Sequence, residues 1–298
     1  MPTAVVLFDF DPFAHLFSDV TVRWAVIALV GVIIAALILA GILARASGLR
    51  PDDIAFVAVG IVPGAVIGGR LGYLIVHAGY YGSAPDRLLD PSIGGMDLGL
   101  AVVGGFLTGC YVASLLGASI GRWLHLAAAP VLFALGAGKL TMVLAGSGQG
   151  VPSHADWATA YLGSGPWGSL VPALPSVPSQ ALEGIATLAI LAVLTLTLMA
   201  GAFRSRDGRL FYTGIGLWAI ARAVVSTTWR DPTVAGGLDG GGLIAIGIAI
   251  ACAVAVVLLT IRRRRAPDAD SADRASPRDP ADPRAELAWP DPETRARF

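Results

Sequence analysis

The chain has 298 residues, of which 55% are hydrophobic and 14% charged, and its formal net charge at pH 7 is zero. A mean hydropathy of +0.70 lies well above that of water-soluble domains, so the composition excludes a soluble globular protein. It predicts an all-α, polytopic integral membrane protein. The zero net charge averages an apolar body and a charged C-terminal stretch, and it gives no reason to expect a nucleic-acid partner.

Residues 1–19, which precede the first apolar stretch, are acidic and aromatic, with Phe8, Asp9 and Asp11 among them. A cleavable signal peptide would instead show basic residues followed by an apolar run. We therefore expect residues 1–19 to form an extracytoplasmic N-terminal segment and the first span to be the membrane anchor.

Seven stretches of the chain are apolar over about 20 residues, the length that an α-helix needs to cross a bilayer. Together they predict a transmembrane domain of seven helices over residues 20–261. The predicted spans are 24–43, 54–77, 98–116, 124–144, 181–200, 210–228 and 243–261.

The arginines between these spans predict the orientation, because the cytoplasmic segments of membrane proteins are enriched in Lys and Arg. One alternate set of connections carries only Arg87 and Arg230, whereas the other set is rich in arginine. An odd number of spans puts the termini on opposite sides, so we expect the N-terminus outside and the C-terminus in the cytoplasm. The arginines on the predicted cytoplasmic side are Arg45, Arg50, Arg122, Arg204, Arg206, Arg209 and the run 262–265.

Residues 262–298 change abruptly to Ala, Pro, Asp and Arg and show no apolar periodicity. This composition predicts a disordered cytoplasmic tail. Its first four arginines are interpreted as a topology signal and an anchor for anionic lipid.

Neither a metal nor an organic cofactor is expected from the sequence. Cys110 and Cys252 each lie within an apolar span, where a cysteine behaves as a small core residue. No cluster of His, Cys and carboxylate residues has the spacing of metal ligands. The glycines at 68, 69 and 72 are more typical of close helix packing than of a nucleotide-binding loop.

Four ionisable side chains lie inside the apolar spans: Arg70, Lys139, Glu183 and Arg222. A charge at membrane depth costs roughly 2.5–3.5 kcal/mol on insertion scales, so such residues usually face a polar cavity and mark a function. At about 1.5 Å of rise per helical residue, all four fall in the outer half of the bilayer. We expect them to converge on one net cationic cavity that opens towards the outer leaflet or the extracytoplasmic space.

Two of the spans carry a polar stripe along one helix face. Arg70, Tyr73 and His77 follow at i, i+3 and i+7, which places them on one side of their helix. A second stripe, at steps of four, contains Trp218, Arg222, Ser226 and Arg230. The structural alternative is that Arg70 and Glu183 only pair with other groups to join helices, while Arg230 extends to the interface.

The connection 145–180, on the predicted outer side, contains no Lys or Arg and is rich in Gly, Pro and Ser. Loops of this length in compact proteins are usually either functional or disordered. The connection includes Trp157 and Trp167, and aromatic residues favour the membrane interface. We expect this segment to form a lid over the cavity.

Five strings of residues, in this order, resemble the prolipoprotein diacylglyceryl transferase family. The resemblance covers about residues 20–260 and leaves out the tail, and the order of the strings is more specific than any one of them. The strings are GGRLGYLIVH (68–77), VGGFLTG (103–109), GKLTMVLAGSGQG (138–150), PSQALEG (178–184) and LWAIARAVVSTTWRDP (217–232).

The resemblance implies a multi-pass enzyme of the plasma (inner) membrane. Members of this family move the diacylglyceryl group of phosphatidylglycerol to the thiol of the lipobox cysteine in a preprolipoprotein, forming a thioether and releasing glycerol phosphate. The implied partners are thus this lipid, the lipobox segment and the bilayer. The resemblance assigns the catalytic phosphate clamp to Lys139 and Arg222. The substrate-binding residues implied are Arg70, Tyr73, Gly104, Gly105, Gly150, Gln180, Glu183, Trp218 and Arg230.

The sequence departs from the family pattern where the chemistry is densest. Val103 stands where the family has a histidine before its paired glycines, so the expected base is absent. Lys139 stands for an arginine and loses the two-pronged fork that orients a phosphate. Other polar positions of the family are occupied here by Met142, Ala145, Ser147, Trp218 and Ser226.

These departures leave several readings open. In an active transferase, His77 or His154 could accept the thiol proton, although each is also explained as an ordinary interfacial or loop histidine. The alternative is a catalytically impaired relative that binds lipid or lipoprotein in the membrane. A transporter of small anions is the weaker third reading, because the sequence lacks the internal repeat of many transporters.

Overall fold

The structure is a computed structural model of the chain. It describes residues 5–17, 20–83, 85–87, 90, 93–163 and 165–275, and for 266–275 the backbone only. The chain divides into two units, residues 1–256 and 257–298. The first contains all the contacts described below, and the second contains the end of the last helix.

The described part of the chain is mostly helical, and each of the seven predicted spans falls on a helix. The helices are α1 (Trp24–Ala46), α2 (Asp53–Val76), α3 (Ala78–Ser83), α4 (Leu98–Leu115), α5 (Ile120–Ala145), α6 (Ser179–Met199), α7 (Arg209–Ser226) and α8 (Gly240–Ala275).

Six helices of the described residues are long and apolar enough to cross a membrane: α1, α2, α4, α5, α6 and the part Gly240–Arg265 of α8. The helix α7, which covers the predicted sixth span, is not among them. It has 18 residues, and they include Arg209 and Arg222. The count of seven spans and the orientation of the termini therefore stay predictions.

Four short strands were not expected in an all-α fold. They are β1 (Val6–Phe8), β2 (Phe13–Phe17), β3 (Val20–Arg23) and β4 (Thr159–Tyr161). The strands β2 and β3 form an antiparallel pair directly before α1, and β1 pairs in parallel with β4. Strands of three to five residues are too short for a period-two pattern to stand out. The pairing of β1 with β4 also joins two segments far apart in sequence. The predicted all-α class thus holds for the helical body and is wrong for these segments.

Glycines bring α2 and α4 into backbone contact. A Cβ on Gly64 would collide with the carbonyl of Gly104, and a Cβ on Gly68 would collide with the carbonyl of Leu100. Small residues allow such close approach between membrane helices, where packing and not hydrophobic transfer holds helices together. The same approach places Asp97, just before α4, against Gly72 of α2, at 3.0 Å from Asp97 Oδ1 to the position of a Cβ.

The second packing region is centred on α5, which contacts α1, α6 and α7. Its apolar core joins residues of α5, α6, α7 and α8, and Trp218 at the centre is fully buried. Other members of this core are Leu132, Leu194, Phe211, Ile215, Ala219 and Ile248.

The helix α8 continues to Ala275, beyond the predicted end of the last span at 261. Residues 262–275, predicted as the start of a disordered tail, are thus helical in the structure. Residues 276–298 lie outside the described residues, so their disorder stays a prediction.

The ends of six helices meet at one end of the first unit, which we call the site end. These are the C-terminal ends of α2, α5 and α7 and the N-terminal ends of α4, α6 and α8. Contacts between Gly72 and Asp97, and between Val76 and Gly240, join α2 to α4 and α8. A hydrogen bond of 2.7 Å between Ser179 and Thr228 joins the start of α6 to the end of α7.

Candidate functional site

Four charged side chains form a continuous ion-pair network at the site end. Arg222 Nη1 donates to Glu183 Oε1 at 2.8 Å, and Lys139 Nζ lies 2.9 Å from Glu183 Oε2. Arg222 Nη2 lies 3.5 Å from Asp97 Oδ2. The side chain of Glu183 is 0% exposed and that of Arg222 5%. The structure thus brings together Lys139, Glu183 and Arg222, as predicted, and adds Asp97.

Helix packing positions each member of this network. Close contact between Gly136 and Gly184 draws α5 and α6 together, which allows Lys139 to reach Glu183. Asp97 is the N-cap of α4, and its Oδ1 accepts a hydrogen bond of 2.7 Å from the Leu100 amide. An N-cap carboxylate satisfies a free amide of the first turn and interacts favourably with the helix dipole. One oxygen of Asp97 therefore caps α4 while the other faces Arg222.

The formal charges of the network cancel, with two cations and two carboxylates. This differs from the predicted net cationic cavity. The difference has two causes. Arg70, one of the expected cations, makes its described hydrogen bonds outside the network, and Asp97, which precedes its span, is buried beside Arg222. An anion binding here would share the cations with carboxylates that hold them in place.

Both cations retain hydrogen-bond donors. Within the described part of the chain, the buried Nε of Arg222 has no hydrogen-bond partner. The ammonium group of Lys139 has three N–H donors, and the structure gives it one ion pair, to Glu183. These donors are the groups that the site can offer to an anionic oxygen.

Trp229, which sequence reasoning did not single out, covers both cations. Its ring centroid lies 4.5 Å from Arg222 Cζ and 5.7 Å from Lys139 Nζ, within the range of cation–π attraction. Trp218, a predicted binding residue, is buried in the core with its ring 5.9 Å from Arg222 Cζ. Trp229 follows the last residue of α7 by three residues. The aromatic residue directly before Arg230, in a string already singled out, was the signal that could have identified it.

Arg70 makes its described hydrogen bonds away from this network. Its Nη1 donates to the carbonyl of Ile93 and its Nη2 to that of Asp90, each at 2.8 Å. Both acceptors lie in the connection that leads into α4. The Asp97 amide donates to the Gly69 carbonyl at 2.9 Å. Arg70 thus holds the connection that positions Asp97. The sequence had predicted that Arg70 would instead converge directly with Lys139 and Arg222.

Tyr73, also predicted to bind substrate, stacks on His77 with ring centroids 4.0 Å apart. It forms an edge contact with Tyr81 at 6.4 Å, and a side chain on Gly94 would collide with its ring. The aromatic ring therefore separates the end of α2 from the connection before α4.

Arg230 ties the end of α7 to the connection between α5 and α6. Its Nε donates to the carbonyl of Gly150 at 2.6 Å and its Nη2 to Ser176 Oγ at 2.8 Å. Gly150 has no room for a side chain, because a Cβ would collide with Ser179 Oγ and the Thr228 carbonyl. These two predicted site residues therefore hold the outer connection against the helices.

Gln180 is buried to 1% exposure at the start of α6, and neither atom of its amide has a partner among the described residues. It adjoins Tyr161 of β4, whose side chain is equally buried. Burial raises the pKa of Tyr161 to about 12. The neighbouring Gln180 side chain opposes this rise only in part. The connection 145–180, which was predicted to form a lid, therefore packs against the start of α6 through Tyr161 of β4 and Gln180.

Gly104 and Gly105, predicted to bind substrate, contact α2 in the structure. Gly104 meets the backbone of Gly64, and a side chain on Gly105 would meet Ile61 at 2.9 Å. Val103, at the place of the missing histidine, packs against the apolar core that contains Trp218. The described contacts of this string are thus those of helix packing.

An apolar hollow of about 400 Å³ lies between α1, α2, α4 and α5. Along α4 it extends from Leu98 to Ala113, about 22 Å at the rise of an α-helix. Leu98 directly follows Asp97, so the hollow begins beside the ion-pair network. Its side chains are apolar, and they include Ile61, Phe106, Trp123 and Val131.

Comparison with known proteins shows which family this chain resembles. The profile of the prolipoprotein diacylglyceryl transferase family matches residues 12–259. A phosphatidylglycerol–prolipoprotein diacylglyceryl transferase of Geobacter sulfurreducens is 29% identical over 201 residues, covering 66% of this chain and 72% of the relative. Proteins of the same name align over shorter stretches. That of Symbiobacterium thermophilum is 30% identical over 38% of this chain and 42% of its own length, and that of Streptococcus sanguinis is 32% identical over 34% and 39%.

The family profile extends from β2 to the last turns of the apolar part of α8, and so includes every member of the ion-pair network. This chain belongs to the prolipoprotein diacylglyceryl transferase family.

Proposed function

We propose that this chain is a phosphatidylglycerol–prolipoprotein diacylglyceryl transferase. It would act as a multi-pass protein of the plasma membrane, with seven spans, its N-terminus outside and its C-terminus in the cytoplasm. The observation that carries the proposal is the position of Lys139 and Arg222. Arg222 is buried and Lys139 is partly buried, both are paired with Glu183, and both retain N–H donors. Family membership and the names of the relatives support the same activity.

In this proposal the two cations bind the phosphate of the lipid. The Nε of Arg222 and the remaining N–H groups of Lys139 donate to phosphate oxygens, and Glu183 keeps both cations in place. When the bond between phosphate oxygen and glyceryl carbon breaks, negative charge grows on the departing glycerol phosphate. Preorganised donors in a site without bulk water stabilise such charge strongly. Arg222 and Lys139 therefore lower the barrier by stabilising the leaving group.

The apolar hollow supports the choice of a lipid substrate. It begins at Leu98, the residue directly after Asp97, and continues along α4 for about 22 Å. The headgroup of a lipid would then lie at the cations and an acyl chain in the hollow. The acyl chain would not be exposed to water, and the headgroup would not be exposed to apolar side chains. Burial of each methylene contributes about 0.8 kcal/mol to binding.

The seven-span topology is supported by two observations. Every predicted span lies on a helix. Within the described residues of the first unit, the arginines at the helix ends and connections opposite the site end outnumber those in the segments at the site end, which are Arg23, Arg87 and Arg230. On the positive-inside rule, the site end then faces outwards, where the lipobox cysteine of an exported protein arrives.

The experiment uses purified protein in phosphatidylglycerol liposomes with a synthetic lipobox peptide. Thioether formation and glycerol phosphate release are measured together, since the proposed reaction produces them in equal amounts. We expect Lys139→Ala and Arg222→Ala to lower the rate by about 100-fold or more, the loss typical of removing one charge-stabilising group. The matched control is Arg87→Ala, an exposed arginine that donates to Tyr80 outside the network. Product formation that is unaltered in both network variants would contradict the proposal.

A second candidate function is a lipid- or lipoprotein-binding relative without turnover. The packing of Val103 in the apolar core favours it, because no imidazole lies at that place. Saturable retention of phosphatidylglycerol without any thioether product in the same assay would establish this alternative.

A further inference from the structure

The proposed function, on which this inference rests, requires a base that the ion-pair network does not supply. A cysteine attacks as the thiolate, so its proton must be accepted near the lipid phosphate. Asp97 and Glu183 are already paired with cations. A carboxylate held in this way is a weak base.

The chain has four histidines, and the structure describes all of them. His15 lies in β2 and pairs with the exposed Asp11 at 3.1 Å. His125 is near the start of α5, at the end of that helix opposite Lys139. His154 is exposed in the connection between α5 and α6. Only His77, of these four, directly continues a helix that contacts the ion-pair network.

The ring of His77 is held in one orientation and one tautomer. Its Nδ1 lies 2.9 Å from the backbone carbonyl of Tyr73, and its ring stacks on that of Tyr73 at 4.0 Å. A carbonyl oxygen can only accept, so Nδ1 carries the proton and donates. In the neutral ring, Nε2 then has a free lone pair. The half-buried ring is thus arranged to accept a proton at Nε2.

The position of His77 relates it to the cations through the start of α8. A Cβ on Gly240 would lie 2.9 Å from the side chain of Val76, the residue directly before His77. A Cβ on the next residue, Gly241, would lie 3.0 Å from the Trp229 ring and 3.7 Å from Asp97 Oδ2. His77 therefore follows the end of α2 at the point where α2 packs on the start of α8, and the start of α8 adjoins the pair of Asp97 with Arg222.

Several titratable groups surround this histidine. Partial burial and the Asp239 carboxylate raise the pKa of Asp231, and positive charge on His77 lowers it, so Asp231 is an electrostatic neighbour of the imidazole. Asp231 also interacts with Tyr73. The groups that face Tyr73 and His77 from α2, α3 and the connection before α8 are Arg70, Tyr80, Tyr81 and Asp231, and Asp239 lies beyond them as a neighbour of Asp231.

We propose that His77 is the catalytic base, with Tyr73 as the residue that positions its ring. Nε2 takes the proton from the lipobox thiol, and the sulfur forms a bond to the glyceryl carbon of the lipid. The bond between that carbon and the phosphate oxygen breaks, and its electron pair leaves with glycerol phosphate. The imidazolium then releases its proton to the outer solvent, which restores the base.

The decisive variant is His77→Asn, because the Asn amide can still donate to the Tyr73 carbonyl from near the place of Nδ1 but has no basic nitrogen. The matched control is His154→Asn. The full-length proteins are compared in phosphatidylglycerol liposomes with the lipobox peptide, and the rate is followed as a function of pH. Binding of phosphatidylglycerol and the thermal midpoint of unfolding are measured on the same samples.

We expect His77→Asn to lower kcat by about 100-fold or more at neutral pH, with lipid binding and thermal midpoint unchanged. The deficit should narrow above about pH 8.5, where a free thiol ionises without help, and added imidazole should restore part of the rate. His154→Asn should behave as the unaltered protein.

Two results would overturn the inference alone: an active His77→Asn variant with the unaltered pH profile, or a deficit that is independent of pH and of imidazole and is accompanied by loss of lipid binding. A different result, no thioether from the unaltered protein, would overturn the proposed function and the base assignment with it.

Discussion

The carboxylate of Glu183 and the guanidinium of Arg222 meet at 2.8 Å between α6 and α7, and neither side chain is more than 5% exposed. Lys139 approaches the other oxygen of the same carboxylate. A buried carboxylate shared by two cations is costly to remove, since both cations lose their partner at once. This relationship makes Glu183 a structural requirement of the ion-pair network.

We predict that Glu183→Gln lowers the free energy of unfolding by about 3–5 kcal/mol, the usual cost of breaking a buried ion pair from one side. Thermal and denaturant unfolding in detergent would measure the loss. The double variant Glu183→Gln with Lys139→Met should recover part of it, because one unpaired cation is removed. A single variant as stable as the unaltered protein would show that solvent or lipid already compensates the cations.

Gly104→Ala should destabilise the fold by about 1–3 kcal/mol, as overpacking does. Its Cβ would collide with the Gly64 carbonyl and force α4 away from α2. The matched control is Gly41→Ala in α1, where nothing lies within 4 Å of the new Cβ, and where alanine should stabilise the helix by about 1 kcal/mol. Equal effects of both substitutions on the thermal midpoint would contradict the described contact between α2 and α4.

Arg230→Lys should loosen the connection between α5 and α6, because lysine cannot reproduce the forked hydrogen bonds to Gly150 and Ser176. Hydrogen exchange would detect faster exchange at the amides of Gly150 and Val151, which donate to Val177 and Thr228. Arg87→Lys serves as the control at the same end of the molecule. Unaltered exchange at both amides would show that Arg230 does not hold this segment.

Tyr161 gives a prediction for alkaline pH. Burial raises its pKa to about 12, against about 10 in an unfolded chain. Between these values the unfolded chain loses the proton while the folded chain keeps it, so stability is retained below about pH 10 and falls as the pH rises to about 12.

The whole effect amounts to at most about 2–3 kcal/mol for two pKa units. Tyr161→Phe should remove this component from the alkaline unfolding curve, because phenylalanine does not titrate. The measurement is the difference in unfolding free energy between the unaltered protein and this variant as a function of pH. Other groups that titrate in this range affect both proteins equally, so their contributions cancel. A difference that does not vary with pH would contradict the burial of the phenol.

Much of the helical architecture could be predicted from composition and periodicity. The hydrophobic runs located helices for all seven predicted spans. A helix that crosses a bilayer must be apolar along its length, and the residues that meet this requirement lie in one continuous stretch of sequence. The cost of burying charge identified Lys139, Glu183 and Arg222 for the same reason. The strands β1 and β4 were missed, since their pairing depends on two distant segments meeting.

The sequence by itself determined that the protein is a helical membrane protein of this family, and it singled out four charges inside apolar spans as candidates for a site, because burial cost and apolar length are properties of each segment alone. Only the tertiary structure decided that Glu183 lies between Lys139 and Arg222, that Asp97 and Trp229 join them, and that Arg70 turns instead to the backbone before α4. Which charges meet depends on how closely glycine-lined helices approach and which faces they turn to each other. That depends on the packing of the whole molecule.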